Sequence, residues 1–340
     1  MQLPSNLLKG LAILAFGLHA ISANAASITA TLFYTTLAGP PDNVGTAIVT
    51  LNGSTLTVDG NTPLASLDGA DGIVVLPDGN LLIGGQSQGF GGGASPAVIH
   101  EITPTGVFIG DGFLPAGNGA YHLALGEATG KGTFLRALCN APAAGCGPNF
   151  TRFTVSGGPI TGQVGISFPI SGPPGADLNV TGLAYDVAND TWYYGATASG
   201  STTGQCGTVI FGNGAGELFP KPPPCPGYNV LYDRHSNTLI FDSGDTVNIV
   251  DPASNSLLLS IVIPGELFDG TALDGRGDLF VASNTGDLVG IDLATGIYGV
   301  TFLTPDLGGL AFSAPEPASL ALLGVGLAGL SLFRRRRSIA

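Results

Sequence analysis

One unit recurs along this chain, and it constrains the fold more than any other feature. The unit is a short apolar strand, a turn rich in Asp, Asn and Gly, and a second apolar or aromatic strand. Its copies lie at residues 72–83, 123–135, 182–194, 230–241 and 272–282, the second of them degenerate. Second strands are therefore expected to begin near residues 81, 134, 192, 239 and 279. A repeat of this length predicts an array of similar small sheets.

Further strands follow the unit in the better copies. Segments 286–293 and 298–303 follow one copy, and segments 246–250 and 257–263 follow another. Two successive hairpins form an antiparallel meander, so each copy predicts a four-stranded sheet. The chain has 54 Gly and 24 Pro, which suits many tight turns. Because no long window of helical periodicity lies within residues 26–314, the body is predicted to be all-β.

The two ends of the body complement each other. Residues 308–313 repeat the first-strand pattern with nothing after it, whereas residues 28–36, 46–51 and 54–58 are three strands without a first strand. We expect them to share one blade, because this removes an open sheet edge. Five internal copies and this composite blade make six. The pattern resembles six-bladed β-propellers of the gluconolactonase-like and NHL-like group, and a seventh blade within residues 86–120 is the alternative.

The C-terminal segment has three parts: Pro315-Glu316-Pro317, an apolar stretch at 318–333, and Arg334-Arg335-Arg336-Arg337. Sixteen helical residues span roughly 24 Å, which crosses a bilayer if the arginines snorkel. The arginines stay cytoplasmic and leave the body on the far side. These parts resemble the PEP-CTERM sorting signal of Gram-negative, exopolysaccharide-producing bacteria. The resemblance implies that an exosortase-type membrane protease recognises the signal and removes the tail; a retained single-pass anchor is the alternative.

The N-terminus has the features of a signal peptide. Lys9 is the only early charge, an apolar core follows at 11–21, and Ala23 and Ala25 form a small-x-small cleavage site. The expected organisation is a signal peptide at 1–25, a propeller body at 26–314 and a sorting tail at 315–340. We therefore expect an exported protein, first an inner-membrane-anchored precursor and then a component of the cell surface or extracellular matrix.

Four cysteines in an exported chain favour disulfides. Cys139 and Cys146 bracket a short loop, and Cys206 and Cys225 bracket a segment that ends in three prolines, so local pairing within each couple is predicted. The other two of the three possible pairings stay open. Neither couple has C-x-x-C spacing and no His lies beside it, which disfavours a metal centre.

Charge limits the function classes. Residues 26–314 carry 23 acidic and 6 basic side chains, a net charge of −17. Nucleic-acid binding needs clustered Lys and Arg and is therefore excluded.

Residues 85–89 match G-x-S-x-G, but the residues that follow them do not favour the helix of a nucleophile elbow. Residues 126–133 imitate a phosphate loop with one residue too few between the glycines, so phosphate binding is not predicted.

No cofactor is predicted from the sequence. His100, His122 and His235 are scattered, and only His122, at the start of a predicted inner strand, would face a central channel. The acidic residues at 242–245 and 274–278 fit turns, where Asp bonds its own backbone. A calcium ion is compatible with these turns, although EF-hand spacing is absent.

Two function classes remain. In the first, a non-catalytic propeller in a biofilm setting binds polysaccharide or another exported protein, and we favour it because no catalytic constellation appears. In the second, Glu, Asn and Asp of the inner strands converge on a divalent cation, as in a metal-dependent lactonase or hydrolase.

Overall fold

The structure is a computed structural model that describes residues 28–37, 43–85, 98–113, 122–127, 133–138, 149–155, 160, 162–163, 166–171, 178–186, 188–198, 204–212, 215–220 and 229–313. Their strands are β1 (Ile28–Thr36), β2 (Val44–Asn52), β3 (Thr55–Ala65), β4 (Ala70–Val75), β5 (Leu81–Gly85), β6 (Val98–Ile102), β7 (Phe108–Phe113), β8 (His122–Glu127), β9 (Thr133–Leu138), β10 (Asn149–Val155), β11 (Gly162–Gln163), β12 (Ile166–Ser171), β13 (Leu178–Asp186), β14 (Thr191–Ala198), β15 (Gly204–Gly212), β16 (Ala215–Pro220), β17 (Asn229–Asp233), β18 (Thr238–Ser243), β19 (Thr246–Asp251), β20 (Ser256–Val262), β21 (Phe268–Leu273), β22 (Asp278–Ser283), β23 (Asp287–Asp292), β24 (Tyr298–Phe302) and β25 (Leu307–Phe312). Among these residues, no helix is long and apolar enough to cross a bilayer.

The strands form five sheets arranged as a β-propeller, which confirms the all-β prediction. Three sheets have four strands each, in the orders β25-β1-β2-β3, β17-β18-β19-β20 and β21-β22-β23-β24. A fourth has the order β11-β7-β6-β5-β4, and the fifth has eight strands, in the order β13-β14-β15-β16-β12-β10-β9-β8. The first strands β25, β4, β8, β13, β17 and β21 contact one another in that order, and β21 returns to β25.

The expected blade count was wrong. Counted by hydrogen-bonded sheets, the described propeller has five blades and not six, and one of the five is double. The double sheet arises because β12 lies antiparallel to β10 and parallel to β16, through the pairs Ile170–Gly216 and Ser171–Glu217. Two four-stranded antiparallel halves are thereby joined at their outer edges, where backbone donors and acceptors would otherwise be unpaired. The seventh blade is also wrong, because β6 and β7 belong to the sheet that begins with β4.

The shared blade at the two ends of the body is confirmed. β25 pairs antiparallel with β1, with Leu32 opposite Phe312 and Thr36 opposite Leu307. The register shifts between Tyr34 and Thr36, and within this irregularity the Thr35 hydroxyl accepts a hydrogen bond of 2.8 Å from the amide of Gly309. The same hydroxyl donates to the carbonyl oxygen of Asp71 on β4. Thr35 thus connects the composite blade to the blade that follows it.

The Asp-rich turns of the repeat are hairpin turns, as predicted. Asp233 accepts hydrogen bonds from the amides of His235 and Ser236, and Asp292 accepts them from Ala294 and Thr295. The residue that ends such a turn is often left-handed, as at Asn237 with φ 57°. Asn tolerates this conformation better than most side chains do, so the turn chemistry fixes where each first hairpin reverses.

The ring has two distinct faces. A meander of four antiparallel strands begins and ends on the same side, so every first strand begins on one face and ends on the other. We call the face at which β4, β17, β21 and β25 begin the mouth face. The opposite face carries the hairpin turns between β17 and β18, between β19 and β20, and between β23 and β24. It also carries the C-terminal end of β25, and we call it the tail face.

Buried side chains fill the spaces between neighbouring blades. One cluster joins the composite blade to the sheet of β21–β24, with the rings of Phe280 and Phe312 4.8 Å apart between centroids. A second cluster joins that sheet to β17–β20 through residues such as Ile240, Val281 and Ile291. The core therefore lies in layers between the blades around the ring.

Candidate functional site

Three glycines let the first strands approach one another around the central channel. A β-carbon at Gly309 would lie 2.3 Å from the carbonyl oxygen of Asp71, and one at Gly270 would lie 2.3 Å from that of Gly308. A β-carbon at Gly182 would lie 2.6 Å from the amide nitrogen of Val230. These separations are below any real carbon contact, so larger residues would push neighbouring blades apart. Glycine at these positions therefore keeps the channel narrow.

A cavity of about 70 Å³ opens at the mouth face, and β4, β8, β13, β17, β21 and β25 all contribute to its wall. Its polar side chains are Asp71, Asn229, Asp269 and Thr271, set among backbone and aliphatic groups. Among the described residues that line it, none is Lys or Arg. The mouth therefore offers hydrogen-bond acceptors and negative charge.

A buried acid lies behind the wall of this mouth, on the strand next to Asn229. Asp242 on β18 is 2% exposed, and Asn229 Nδ2 donates to its Oδ1 over 3.2 Å. Asn229 Nδ2 also donates to the carbonyl oxygen of Asp269, so one amide connects the buried acid to the mouth. Burial raises the pKa of Asp242 to about 7, although hydrogen bonds from Asn229 and Thr271 oppose the rise. Burial also raises the pKa of Asp269 to about 6.

These two shifts define what the site can do chemically. Carboxyl groups that titrate near neutral pH can hold or exchange a proton, and as carboxylates they accept hydrogen bonds from hydroxyl or amide groups. Asp269 and Asp242 also repel each other, which adds to the raised pKa of Asp242. A neutral, hydroxyl-rich or cationic ligand fits this environment better than an anion does.

The described residues do not supply a metal centre. Within them, no group of three or more His, Cys, Asp or Glu side chains is placed to hold an ion. His100 is on β6 and its Nδ1 lies 2.6 Å from Asp111 Oδ1, whereas His235 is in the turn after β17. His122 begins the innermost strand β8, as predicted, and its side chain lies outside the described part.

A second cavity, of about 270 Å³, lies on the tail face. Arg276, Asp278 and Asp292 line it. Asp274 Oδ1 accepts hydrogen bonds from the amides of Arg276 and Asp278, as expected of a turn, and within the described residues its buried Oδ2 meets no donor. Burial and the charges of Asp274 and Asp292 raise the pKa of Asp278 to about 6. Within the described residues, this turn is not part of a group of three or more Asp, Glu, His or Cys side chains that could hold the calcium ion considered for it.

Several predicted site residues lie wholly or partly outside the described part of the chain. Cys206 is buried on β15 and is disulfide-bonded, but the other cysteines are outside the described ranges, so both pairings stay predictions. The G-x-S-x-G match has only Gly85, the last residue of β5, within the described part. The signal peptide with Ala23 and Ala25 and the tail from Ala314 onward are also outside it.

Sequence reasoning missed the mouth residues. It placed Asp242 in a turn, but the residue lies within β18 and is buried. It did not single out Asp71, Asn229 or Asp269. A signal was present, because Asp71-Gly72 and Asp269-Gly270 occupy corresponding places at the starts of two first strands. Aligning the repeats on their first strands would have placed both acids at one face of the ring.

A closed ring of antiparallel sheets with a polar mouth on its axis defines a β-propeller. The chain also carries the PEP-CTERM protein-sorting motif, which matches residues 313–337 and begins directly after β25. This motif implies an exported, membrane-anchored precursor that an exosortase processes.

Solved structures show the same fold at low sequence identity. TolB from Acinetobacter baumannii is 13% identical, with a TM-score of 0.56, and the match covers 89% of this chain and 70% of TolB. A chain of the nidogen/laminin complex is 12% identical (TM-score 0.51, 84% and 98% covered). A putative 6-phosphogluconolactonase from Bacteroides fragilis is 13% identical (TM-score 0.51, 86% and 99% covered). No curated protein matches the chain. Such similarity shows the fold alone.

Proposed function

We propose that this chain is an exported cell-surface or extracellular-matrix protein whose propeller binds polysaccharide or another exported protein without catalysing a reaction. The observation that carries the proposal is the position of the sorting motif. It begins at Ser313, one residue after the strand that closes the ring. Removal of the tail near Pro315 would therefore leave every strand of the propeller in place.

The mouth cavity is the binding site in this proposal. Its carboxyl and amide groups suit the hydroxyl groups of a sugar, because each hydroxyl both donates and accepts hydrogen bonds. The glycine-lined channel below the mouth is narrow, so a polymer would lie across the mouth face. Among proteins of the same fold, the nidogen/laminin chain belongs to a protein–protein complex, which supports an exported protein as the other ligand class.

A hydrolase is the second candidate, and the raised pKa values of Asp242 and Asp269 favour it. Proton donors and acceptors that titrate near neutral pH are what lactone or glycoside hydrolysis needs. The similarity to the putative 6-phosphogluconolactonase extends only to the fold. A phosphate group is bound by cationic side chains, but a phosphorylated substrate in the mouth would lie beside the acidic Asp71 and Asp269. A phosphorylated sugar lactone is therefore disfavoured as a substrate.

Sorting is tested by replacing Glu316 with Ala in a host that has the sorting protease. We expect Glu316→Ala protein to keep its full C-terminal mass and stay in the inner membrane, while the wild-type protein loses its tail. Asp306→Asn, at an exposed residue just before β25, is the matched control and should be processed normally. A wild-type protein with an intact C-terminus in that host would contradict the proposal.

Ligand binding is tested on the processed protein by calorimetry with neutral and acidic exopolysaccharides. We expect a neutral polysaccharide to bind, an acidic one to bind more weakly, and Asp269→Asn to change the affinity for the neutral one. Metal analysis, with thermal shifts measured against a chelator, distinguishes the hydrolase from the non-catalytic binding protein. A bound divalent ion whose removal lowers the melting temperature, together with lactone hydrolysis, would favour the second candidate.

A further inference from the structure

The direction of β25 determines where the sorting tail leaves the propeller. β25 begins at Leu307 on the mouth face and ends at Phe312 on the tail face. Only residues 313–317 separate this end from the apolar segment at 318–333. Five residues span at most about 18 Å when fully extended. With residues 318–333 in the membrane, as the proposed sorting requires, the C-terminal end of β25 on the tail face lies within that distance of the bilayer.

The mouth face lies a strand length farther away. Six residues of β-strand rise about 20 Å, and this is the separation of the two faces along β25. The turns of a single sheet mark the two faces. The turn between β22 and β23, which contains Asn284, is on the mouth face, and the turn between β23 and β24, which contains Ala294, is on the tail face.

We propose that in the unprocessed precursor the tail face is directed at the membrane and the mouth cavity opens away from it. The lipid surface is thus the partner of the tail face, held there by the tail. The mouth is open to soluble ligands before the sorting protease acts. This orientation rests on the proposed membrane insertion of the tail, together with the direction of β25 and the length of the linker, and it is independent of what the mouth binds.

Charge on the tail face indicates that the tail alone provides this tether. The described turns and strand ends of that face carry more acidic than basic side chains: Asp78, Asp186, Asp190, Asp233, Asp251, Asp274, Asp278 and Asp292, with Arg234 and Arg276. Anionic lipid head groups repel such a surface. A covalent anchor overcomes that repulsion, and its removal releases the body from the bilayer.

The orientation is tested by fluorescence quenching on the full precursor, purified from a host without the sorting protease and reconstituted in vesicles. A fluorescent non-natural residue replaces either Ala294 or Asn284, both exposed, which leaves the four cysteines unchanged. Lipids with a nitroxide on the head group supply the quencher. We expect quenching at position 294 to be several-fold stronger than at position 284.

Tail-free protein with the same labels is the control, and it should show weak and equal quenching at both positions. Flotation with the vesicles tests whether the tail attaches the protein to the membrane. The precursor should float with the vesicles, and the tail-free protein should not. Equal quenching in the precursor, stronger quenching at 284, no quenching at either position, or a precursor that does not float would each overturn the proposal. None of these outcomes depends on a ligand of the mouth, so the binding proposal stands or falls separately.

Discussion

Gly309 and Asp71 touch across two blades: a β-carbon on Gly309 would lie 2.3 Å from the carbonyl oxygen of Asp71. Both residues belong to first strands, and the Thr35 hydroxyl bonds to the backbone of each. The junction between the composite blade and the next one is therefore a backbone-to-backbone contact. It leaves no space for even the smallest side chain, and this makes the ring sensitive to single substitutions there.

Replacing Gly309 with Ala is expected to lower the free energy of unfolding by about 1 to 3 kcal/mol, because the added methyl group forces the two strands apart. Gly308→Ala is the matched control, since its β-carbon would meet side chains of Leu37 and Thr35 at an ordinary 3.5 Å. Denaturation by urea, followed by tryptophan fluorescence, compares the two variants. Equal midpoints for both would contradict the close contact.

Replacing Thr35 with Val removes the hydroxyl that accepts from the Gly309 amide and donates to the Asp71 carbonyl. Both backbone groups would be left without this partner in a buried place, so we expect a loss of about 1 to 3 kcal/mol. Thr35→Ser keeps the hydroxyl and should recover most of the stability. A valine variant as stable as the serine variant would show that the bridge contributes nothing.

Stability is expected to fall as pH rises from about 4 to 7, through Asp242. Its pKa is about 7 in the folded protein, above the ordinary value, so the folded state holds a proton that the unfolded state has released. This contribution is complete below the unfolded pKa and is lost as pH rises through the folded pKa. The slope is at most about 1.4 kcal/mol per pH unit.

Asp242→Asn should remove this part of the pH dependence, and Asp306→Asn should keep it. Urea midpoints measured at intervals between pH 4 and 8 give the comparison. If the difference in stability between wild type and Asp242→Asn does not vary with pH, Asp242 is not the group that takes up the proton.

Local disulfides between Cys139 and Cys146 and between Cys206 and Cys225 remain a prediction, and Cys206 is disulfide-bonded. Each short bridge is expected to contribute roughly 2 to 4 kcal/mol. Reduction should then weaken the loops and leave the ring folded, as judged by circular dichroism. Peptide mapping without reductant assigns the pairs, and a peptide linking Cys139 to Cys225 would refute local pairing.

Much of the architecture was predictable because it repeats. Second strands expected near residues 81, 134, 192, 239 and 279 begin at Leu81, Thr133, Thr191, Thr238 and Asp278. The composite blade was predictable because its parts were incomplete in a complementary way. In both cases the pattern is local, and apolar alternation and turn chemistry record it in the sequence.

The double sheet was not predictable, because it depends on two parallel residue pairs between β12 and β16. Such an edge contact uses backbone groups, which every residue has, and so leaves no side-chain pattern. The mouth was missed for a different reason. Asp242 and Asp269 are 27 residues apart in neighbouring blades, and only the packing of those two blades brings them near each other.

The bond between Thr35 and Gly309 joins residues 274 positions apart, and this has a consequence for the order of events in export. A secreted chain emerges N-terminus first, so β1, β2 and β3 reach the far side of the membrane long before β25. Contacts that span so much sequence form slowly and late. We therefore expect the exported chain to remain an open arc of blades until β25 emerges. Because the apolar tail follows β25 directly, we expect the ring to close at about the time that the tail enters the membrane.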